Sequence, residues 1–399
     1  MEMGKVKELR VLFVATAYPR FKGDVITPWL VELIMRLREQ GVDVSVFTSS
    51  YRGLGNHIID GVRIHRFRYF LKRYERLTHE ETAVDRITRS SFNILLTVFY
   101  LIFGTWAMIQ LTRQKKFDII HIHWPFPHVI FGILGKRFGG ARLFSSFYGV
   151  EIRWLKKKFP FLLKPFSILI NKSDRVTAIS THTANELSGV VRMPIQIIPF
   201  STAMIARHGK AIDKREIVFV GRLVERKGVK YLIESFSQVF RSIPHRLIIV
   251  GDGPERNHLE EMATRLGIKD RIEFTGKISD DRLSQYYKTC SFLVLPAVYD
   301  KKGDTEGLGV VLLEAMSYAK PVIASGVGGI TDIVIDGDNG LLVPPADPDA
   351  LAQAIRKMAR DGHLRKVFGR KARKTVDERF NWDRIVKKLT ALYYGNDRR

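Results

Sequence analysis

The feature that most constrains the fold is an alternation of short apolar runs with helical segments, and this alternation occurs twice. The first half contains the runs RVLFVAT, DVSVFTS, FDIIHIH and ARLFSSF, separated by segments such as TPWLVELIMRLREQG. The second half contains EIVFVG, HRLIIVG, RIEFTG, SFLVLP, PVIAS and GLLVPP. Continuous Val, Ile, Leu and Phe runs between helices are typical of parallel sheets covered on both faces. The sequence therefore predicts an α/β protein with two doubly wound domains in series.

The boundary between the two domains is predicted in residues 199–214, PFSTAMIARHGKAIDK, which lack periodicity and precede a new strand. The final segment, FNWDRIVKKLTALYYG, has the pattern of an amphipathic helix outside the second repeat. We therefore expect an N-terminal domain over residues 1–200 and a C-terminal domain over residues 201–378. Residues 379–399 are expected to form a helix that packs back on the first domain.

Charge is the most unusual property of the composition. Lys and Arg number 65 against 41 Asp and Glu, a formal net charge of +24, so the surface is expected to attract anions such as phosphorylated substrates or anionic lipid. Nucleic acid is not a predicted partner, because no zinc-finger spacing, RNP-like motif or basic-plus-heptad helix is present. The single cysteine excludes an intrachain disulfide, and the first residues lack the apolar core of a signal peptide. These features predict a cytoplasmic protein.

The stretch TEGLGVVLLEAM carries the first candidate site residues. Gly307 and Gly309 are poor helix formers, whereas the residues from Val310 are good ones, so a helix is expected to begin near Gly309. Its first amides lack internal acceptors and suit a diphosphate. Glu314 lies too deep in this helix to cap it and needs hydrogen-bond donors, which the hydroxyls of a sugar or ribose supply. Glu306 precedes the helix and would face the group on the distal phosphate. The alternative is that both carboxylates are ordinary helix-surface charges.

Two cations of the second domain add to this site. Arg222 and Lys227 follow the strand EIVFVG in the loop RLVERKG, and ligands of open α/β sheets bind at the carboxyl ends of strands. Two cations facing a helix amino terminus would bind an anion between them. The alternative is that these side chains only face solvent.

The motifs VGRLVERKG, IIVGDGPE, FTGKIS, EGLGVVLLEAM, PVIAS and DGDNGLLVPPADPDAL resemble those of the retaining glycosyltransferases of family four. The resemblance covers nearly the whole second domain. The first domain matches more loosely, through YPRFKGD, GVDVSVFTS and FDIIHIHW. The family has the GT-B fold, so the resemblance implies two Rossmann-like domains facing a central cleft.

The resemblance also implies roles for individual residues. Glu306 and Glu314 match the E-x7-E motif, so that Glu306 would bind the donor sugar and Glu314 the ribose. Arg222 and Lys227 match the pair that neutralises the nucleotide diphosphate. With Glu306 they are the predicted catalytic residues. The remaining predicted donor-binding residues are backbone contacts: Gly307, Leu308, Gly309, Val310 and Val311 for the distal phosphate, and Lys277 and Ile278 for the base.

The first domain departs from the family pattern. Tyr148, Gly149 and Glu151 stand where many relatives have a histidine, a glycine and an acid, and tyrosine does not carry a charge near neutral pH. Gly23 is followed by Asp24 in place of a second glycine. Gly23, Tyr148 and Glu151 are the predicted acceptor-side residues.

The implied reaction moves a sugar from a nucleoside-diphosphate donor to a hydroxyl acceptor, with a UDP-sugar favoured and GDP-mannose next. The resemblance further implies retention, an α-linked product and no metal or other cofactor. The acid pairs Asp336/Asp338 and Asp347/Asp349 have turn and helix-cap explanations. His121 and His123 share a strand face and would bind metal only if a third ligand such as His128 came close.

Two segments raise the question of a membrane. Residues 92–111, FNILLTVFYLIFGTWAMIQL, match a bilayer span in length. We interpret them as a helix of the α/β layers, with membrane insertion or surface embedding as the alternative. Residues 153–172, RWLKKKFPFLLKPFSILINK, mix basic and aromatic residues. This composition suits the headgroup region of an anionic membrane. They suggest a lipid-linked sugar acceptor, the alternative being a solvated helix with a buried stripe.

Three further functions are compatible with the same residues. The two glutamates could be a glycosidase pair, although Arg222 and Lys227 would then have no purpose. The chain could also be a transferase that acts on a soluble sugar acceptor. A non-catalytic nucleotide-sugar binding protein would carry the same donor-side residues.

Overall fold

The computed structural model describes residues 9–24, 26–79, 86, 90–202, 204 and 212–395. The chain divides into two compact units. The first unit comprises Met1–Ile179, Thr183–Ile198 and Val386–Arg399, and the second comprises Ser180–His182 and Pro199–Ile385. Residues 203 and 205–211 of the predicted boundary segment lie outside the described residues.

The first unit is built on one eight-stranded sheet. Its strands are β1 (Arg10–Val14), β2 (Asp43–Ser49), β3 (His57–Ile59), β4 (Val62–Phe67), β5 (Ile119–His123), β6 (Arg142–Phe147), β7 (Arg175–Ala178) and β8 (Ile195–Ile197). The sheet order is β3-β4-β2-β1-β5-β6-β7-β8. Neighbours pair in parallel except β3 with β4, which are antiparallel. The central strand β5 is buried at all five positions, as its continuous apolar pattern predicts.

Helices cover this sheet. They are α1 (Pro28–Glu39), α2 (Ser91–Gln114), α3 (Pro125–Gly139), α4 (Val150–Lys158) and α5 (Leu163–Ile170), and α6 (Thr181–Glu186) follows β7. The basic-aromatic segment 153–172 is therefore divided between α4 and α5. Pro160 follows the end of α4, where its missing amide hydrogen cannot continue the helix.

The second unit is built on a six-stranded parallel sheet. Its strands are β9 (Glu216–Val220), β10 (Arg246–Val250), β11 (Ile272–Gly276), β12 (Phe292–Leu295), β13 (Val322–Ser325) and β14 (Gly340–Val343). Its helices are α7 (Val229–Val239), α8 (Arg256–Arg265), α9 (Asp280–Thr289), α10 (Val310–Ser317), α11 (Ile330–Ile333), α12 (Pro348–Arg360) and α13 (Gly362–Arg379), followed by α14 (Trp382–Tyr394). The sheet order β11-β10-β9-β12-β13-β14 confirms a doubly wound α/β fold.

Each sheet reverses its strand order at one point. In the second unit the reversal lies between β9 and β12, and in the first unit it lies between β1 and β5. Ligands of open α/β sheets bind in the crevice outside the carboxyl ends of the strands at such a point. A ligand site is therefore expected at the loops that follow these four strands.

The end of α14 belongs to the first unit from Val386 onward. The Tyr393 ring is fully buried there. Its hydroxyl lies 2.6 Å from Nδ1 of His121 in β5, and Arg142 donates a hydrogen bond to its carbonyl oxygen. The last helix thus contributes a core side chain to the first unit.

Candidate functional site

The turn before α10 follows β12 and has the predicted conformation. Gly309 is the N-cap of α10 with φ of +91°, in the left-handed region, and the helix begins at Val310. This confirms the predicted helix start. A glycine is suited to this backbone conformation, and its lack of a side chain leaves the first amides of α10 without a side-chain cap. These amides provide the positive end of the helix dipole at the strand-order reversal.

Glu306, in the same turn, makes ion pairs with two cations from the loop after β9. Its Oε2 lies 2.5 Å from Nζ of Lys227 and 3.2 Å from Nη1 of Arg226. The Glu306 side chain is only 13% exposed. Burial alone would raise the pKa of Glu306, but Lys227 and Arg226 beside it hold that pKa below its ordinary value. Glu306 is therefore a carboxylate at neutral pH.

Backbone contacts fix the two loops against each other. The amide of Val298 donates to the carbonyl of Arg226 at 2.9 Å. A Cβ on Gly228, directly after Lys227, would lie 1.9 Å from the carbonyl oxygen of Pro296. The loops after β9 and β12 therefore touch main chain to main chain, which positions Lys227 beside Glu306.

A second close approach supports the Glu306 turn from its other side. The amide of Gly329 donates to the carbonyl of Glu306 at 3.0 Å. A Cβ on Gly328 would lie 2.0 Å from the carbonyl oxygen of Glu306, and one on Gly329 would lie 2.1 Å from that of Gly307. Only glycine fits at these two positions without displacing the turn.

Glu314 lies in α10, five residues after the cap, and its carboxylate receives a hydrogen bond from another helix of the second unit. The hydroxyl of Tyr287, in α9, donates to its Oε2 at 2.6 Å. Burial raises the pKa of Glu314 to about 7, although this hydrogen bond acts in the opposite direction. The predicted need for a hydrogen-bond donor is therefore met in part by Tyr287.

Arg222, Lys277 and Ile278 are not part of this ion-pair cluster. Arg222 is exposed in the loop after β9, Lys277 is exposed after β11, and Ile278 is half-buried. The turn GDGP packs closely on the Arg222 loop, since a Cβ on Gly253 would lie 2.3 Å from the carbonyl oxygen of Leu223. A side chain at position 253 would therefore displace this loop.

Sequence reasoning missed two residues of the candidate site, one beside Glu306 and one beside Glu314. Arg226 precedes Lys227 and shares its carboxylate partner, but a loop arginine has no distinguishing pattern. Tyr287 is a fully buried tyrosine in the last turn of α9. Nothing in the sequence separates it from an ordinary core residue, because its partner becomes evident only when α9 packs beside α10.

The predicted acceptor-side residues lie in the first unit. Gly23 is exposed, with φ of +88°, and the adjacent Asp24 accepts two side-chain hydrogen bonds from Arg20, at 2.7 and 3.0 Å. The hydroxyl of Tyr148 lies 2.5 Å from Nδ1 of His123. The amide of Tyr148 donates to Oε1 of Glu151 at 2.8 Å. Tyr148 and Glu151 are thus in contact, whereas Gly23 belongs to a different loop.

Burial determines the charge of the titratable side chains around Tyr148. It raises the pKa of Glu151 to about 7 and lowers the pKa of His121 to about 3. Both ring nitrogens of His121 lie within hydrogen-bond distance of hydroxyls, at 2.6 Å from Tyr393 and 2.7 Å from Ser146. The third proposed ligand, His128, bonds instead to the hydroxyl of Tyr100 and the carbonyl of Trp124.

The acid pairs considered as metal ligands have other partners. Asp347 caps α12 by accepting from the amides of Asp349 and Ala350. Asp336 accepts from the amide of Leu342, and Asp338 pairs with Lys371. Among the residues that the structure describes, no group of three His, Cys, Asp or Glu side chains could hold a metal ion.

Two protein-family models match this chain. The family model of the group 1 glycosyl transferases matches residues 201–375, and the model of glycosyltransferase family 4 matches residues 28–200. The uncharacterized glycosyltransferase MJ1069 of Methanocaldococcus jannaschii is 32% identical over 310 residues, which are 72% of this chain and 78% of the relative.

Two further proteins are informative. The GDP-mannose-dependent alpha-(1-6)-phosphatidylinositol monomannoside mannosyltransferase of Mycolicibacterium smegmatis is 28% identical over 304 residues, covering 72% of this chain and 79% of the relative. The structure of HepE from Anabaena, in complex with UDP and glucose, superposes with a TM-score of 0.71 at 18% identity, over 97% of this chain and 100% of HepE. This second similarity confirms the GT-B fold. The two family models match successive parts of the sequence, and the MJ1069 relative aligns over most of its length. The chain therefore belongs to the group 1 glycosyltransferases.

Proposed function

We propose that this glycosyltransferase moves a sugar from a UDP-sugar to a hydroxyl acceptor with retention of the anomeric configuration and without a metal ion. The observation that carries the proposal is the position of Lys227, Arg226 and Glu306 beside the start of α10, where the second sheet reverses its strand order. Cations and free helix amides at this point suit a diphosphate.

The chemistry follows from where charge develops. Transfer breaks the bond between the anomeric carbon and a phosphate oxygen, so negative charge accumulates on the departing diphosphate. In the proposed mechanism Lys227, Arg222 and the α10 amides stabilise that charge, a type of interaction worth about 3 kcal/mol per donor in well-studied enzymes. The acceptor hydroxyl attacks from the face that the diphosphate leaves, and the leaving phosphate oxygen takes its proton.

Glu306 adds a condition for donor binding. Its carboxylate already contacts Lys227 and Arg226. A diphosphate must therefore share these cations with Glu306 or replace it as their partner. We propose that the donor sugar's hydroxyls then donate to Glu306 and compensate for the weakened ion pairs.

Two of the similar proteins bear on the donor and the acceptor. HepE was solved with UDP and glucose, and the mycobacterial relative is GDP-mannose-dependent, so a UDP-sugar is proposed first and GDP-mannose second. That relative is a phosphatidylinositol monomannoside mannosyltransferase, which supports a lipid-linked acceptor. We propose that this acceptor lies on the inner face of a membrane. In the basic-aromatic segment Phe161 is 71% exposed and Lys156, Lys157 and Lys158 are exposed. These side chains support docking of this segment on anionic lipid.

A thermal-shift screen of UDP-, GDP- and ADP-sugars tests the donor, followed by an assay for nucleoside diphosphate release with the strongest stabiliser. We expect a UDP-sugar to raise the unfolding temperature most and to yield UDP. Free sugar without nucleotide release would indicate a glycosidase. Stabilisation without any turnover, with a range of sugar acceptors, would indicate a binding protein.

Donor affinity is expected to rise with pH through about 7. Because burial raises the pKa of Glu314 to about 7, the side chain is largely protonated at pH 6 and largely ionised at pH 8. The ionised form is the better acceptor for ribose hydroxyls, and a sugar-linked diphosphate does not itself titrate in this range. Calorimetric titration with the donor at pH 6, 7 and 8 measures the effect.

Two variants control this experiment. Glu314→Gln should bind the donor weakly and with little dependence on pH. Glu151→Gln removes the other carboxyl whose pKa burial raises to about 7, but in the first unit, and should keep the pH dependence of donor binding. A flat profile for the unmodified protein, or one lost in Glu151→Gln alone, would exclude Glu314 as the titrating group.

A further inference from the structure

Helix α2 presents a wide apolar face to solvent. It has 24 residues and is long and apolar enough to cross a membrane, yet only 28% of its most apolar window is buried in the protein. The exposed apolar side chains are Phe92, Ile94, Leu95, Val98, Ile102, Phe103 and Trp106. Ile102 and Trp106 are 57% and 58% exposed. A helix that only covered a sheet would carry polar residues on this face, so this outer face of α2 requires a partner.

The opposite face of α2 is fixed in the first unit. Its buried stripe includes Leu96, Tyr100, Gly104 and Met108. The hydroxyl of Tyr100 lies 2.8 Å from Nε2 of His128 in α3. A Cβ on Gly104 would lie 2.5 Å from the ring of Phe131, so the two helices pack closely. The helix therefore cannot cross a bilayer without leaving its own domain, and its outer face must be covered from one side.

An apolar groove lies beside this face. A cavity of about 810 Å³ separates α2 from β4 and the residues after it, a volume within the usual range of small-molecule sites. Its walls include Phe67, Phe70, Phe99, Phe103 and Trp106. Polar and charged side chains line it as well, among them Arg66, Arg68, Gln110, Gln114 and Lys115. An apolar groove with a cationic group matches the apolar chain and the anionic headgroup of one lipid.

Exposed cations flank the outer face of α2 at both ends. Lys72 and Arg73 are exposed next to Tyr74, whose ring contacts Phe92 at 5.2 Å. At the other end, Arg113, Lys115 and Lys116 are exposed. Within the described part of this helix, from Ser91 to Gln114, there is no acidic residue. Apolar side chains between cations are complementary to the interfacial region of an anionic bilayer.

We propose that the outer face of α2, with the adjacent groove, docks in the plane of an anionic lipid bilayer. In this arrangement Val98, Ile102 and Trp106 enter the headgroup boundary while the flanking Lys and Arg side chains contact lipid phosphates. Trp106 suits this position because indole rings favour the membrane interface. The surface is separate from the basic-aromatic segment 153–172 and requires no nucleotide, so it stands independently of the proposed transferase reaction.

Vesicle flotation without donor tests the inference. The unmodified chain should float with vesicles that contain phosphatidylglycerol and not with pure phosphatidylcholine vesicles, and the binding should weaken with salt. The double variant Val98→Gln/Ile102→Gln should lose at least about tenfold in binding. Removing a flanking charge, as in Arg113→Gln, should cost roughly fivefold. The control Leu266→Gln/Ile335→Gln removes exposed apolar side chains from the second unit and should bind normally.

Spectroscopy distinguishes loss of docking from a folding defect. Trp106→Phe keeps the apolar face, so it should still float, but it should lose most of the blue shift of tryptophan emission that the unmodified chain shows on vesicles. Circular dichroism and the unfolding temperature verify that each variant is folded.

Five results would overturn the inference. The first two are failure of the unmodified chain to float with anionic vesicles at low salt and normal flotation of Val98→Gln/Ile102→Gln. The third is a dimer in solution that this variant dissociates while vesicle binding is absent. The fourth is retention in membranes after an alkaline carbonate wash, which would indicate a spanning helix. Loss of binding only in Phe161→Gln/Ile168→Gln would assign docking to segment 153–172 instead. Since no donor is present, none of these results bears on sugar transfer.

Discussion

Lys227→Ala is expected to lower kcat for sugar transfer by about two to three orders of magnitude and to weaken donor binding. In the proposed mechanism its ammonium group stabilises the diphosphate as negative charge develops, and loss of one such preorganised donor has effects of about this size. The variant also leaves the buried Glu306 carboxylate with Arg226 as its remaining cation in the cluster. Steady-state kinetics with the best donor, together with donor titration, measures both effects.

Controls separate charge from packing. Lys227→Arg keeps the charge and should recover part of the activity, whereas Lys227→Met keeps the length of the side chain and should not. Lys230→Ala removes an exposed lysine three residues further on, placed over the ring of Tyr231, and should be nearly neutral. Arg222→Ala should also lower kcat by about two to three orders of magnitude, because it removes the other proposed donor to the diphosphate. Unchanged kinetics in both Lys227→Ala and Arg222→Ala would contradict the site assignment.

Gly329→Ala should reduce kcat/KM by roughly a hundredfold, although Gly329 carries no functional group. Its Cβ would lie 2.1 Å from the carbonyl oxygen of Gly307 and 2.9 Å from Cα of Leu308, so the turn that holds Glu306 must move. Displacement of a reacting group by about 1 Å has effects of this size. Stability should fall by about 1–3 kcal/mol, the usual cost of overpacking.

Gly326→Ala is the matched control for Gly329→Ala. The nearest atom to its Cβ is the carbonyl oxygen of Val343, at 3.8 Å, so the substitution is accommodated without movement of the Glu306 turn. Kinetics and urea unfolding of both variants distinguish a displaced site from a general loss of stability. If Gly329→Ala retained full activity, the close contact between the two loops would not position Glu306.

The sequence was sufficient to predict the fold because the strand signals are strong. Each predicted run, from RVLFVAT to GLLVPP, contains a strand of the structure, and apolar runs of this length between helices favour a parallel sheet. The start of α10 was equally predictable, since Gly309 adopts a left-handed conformation that glycine favours. These signals are local, so they need no knowledge of distant contacts.

Contacts between distant residues were not predictable in the same way. The hydrogen bond from Tyr287 to Glu314 joins residues 27 positions apart, and the ion pair of Arg226 with Glu306 spans 80 positions. Neither pairing produces a periodic pattern in the sequence. The roles of Gly328 and Gly329 depend on a close approach to the Glu306 turn that only the folded chain shows. The outer face of α2 was also not predictable, because the apolar pattern alone does not show which side of the helix remains exposed.

The central claim is that Lys227, Arg222 and the start of α10 bind the diphosphate of the donor, and calorimetric comparison of UDP with UMP, and of GDP with GMP, tests it most directly. The account predicts that the preferred diphosphate binds at least about tenfold more tightly than its monophosphate, since charge-assisted hydrogen bonds to the distal phosphate contribute about 1.5–3 kcal/mol. It also predicts that Lys227→Ala largely removes this difference. Equal affinity for diphosphate and monophosphate, or a difference that survives in Lys227→Ala, would contradict it.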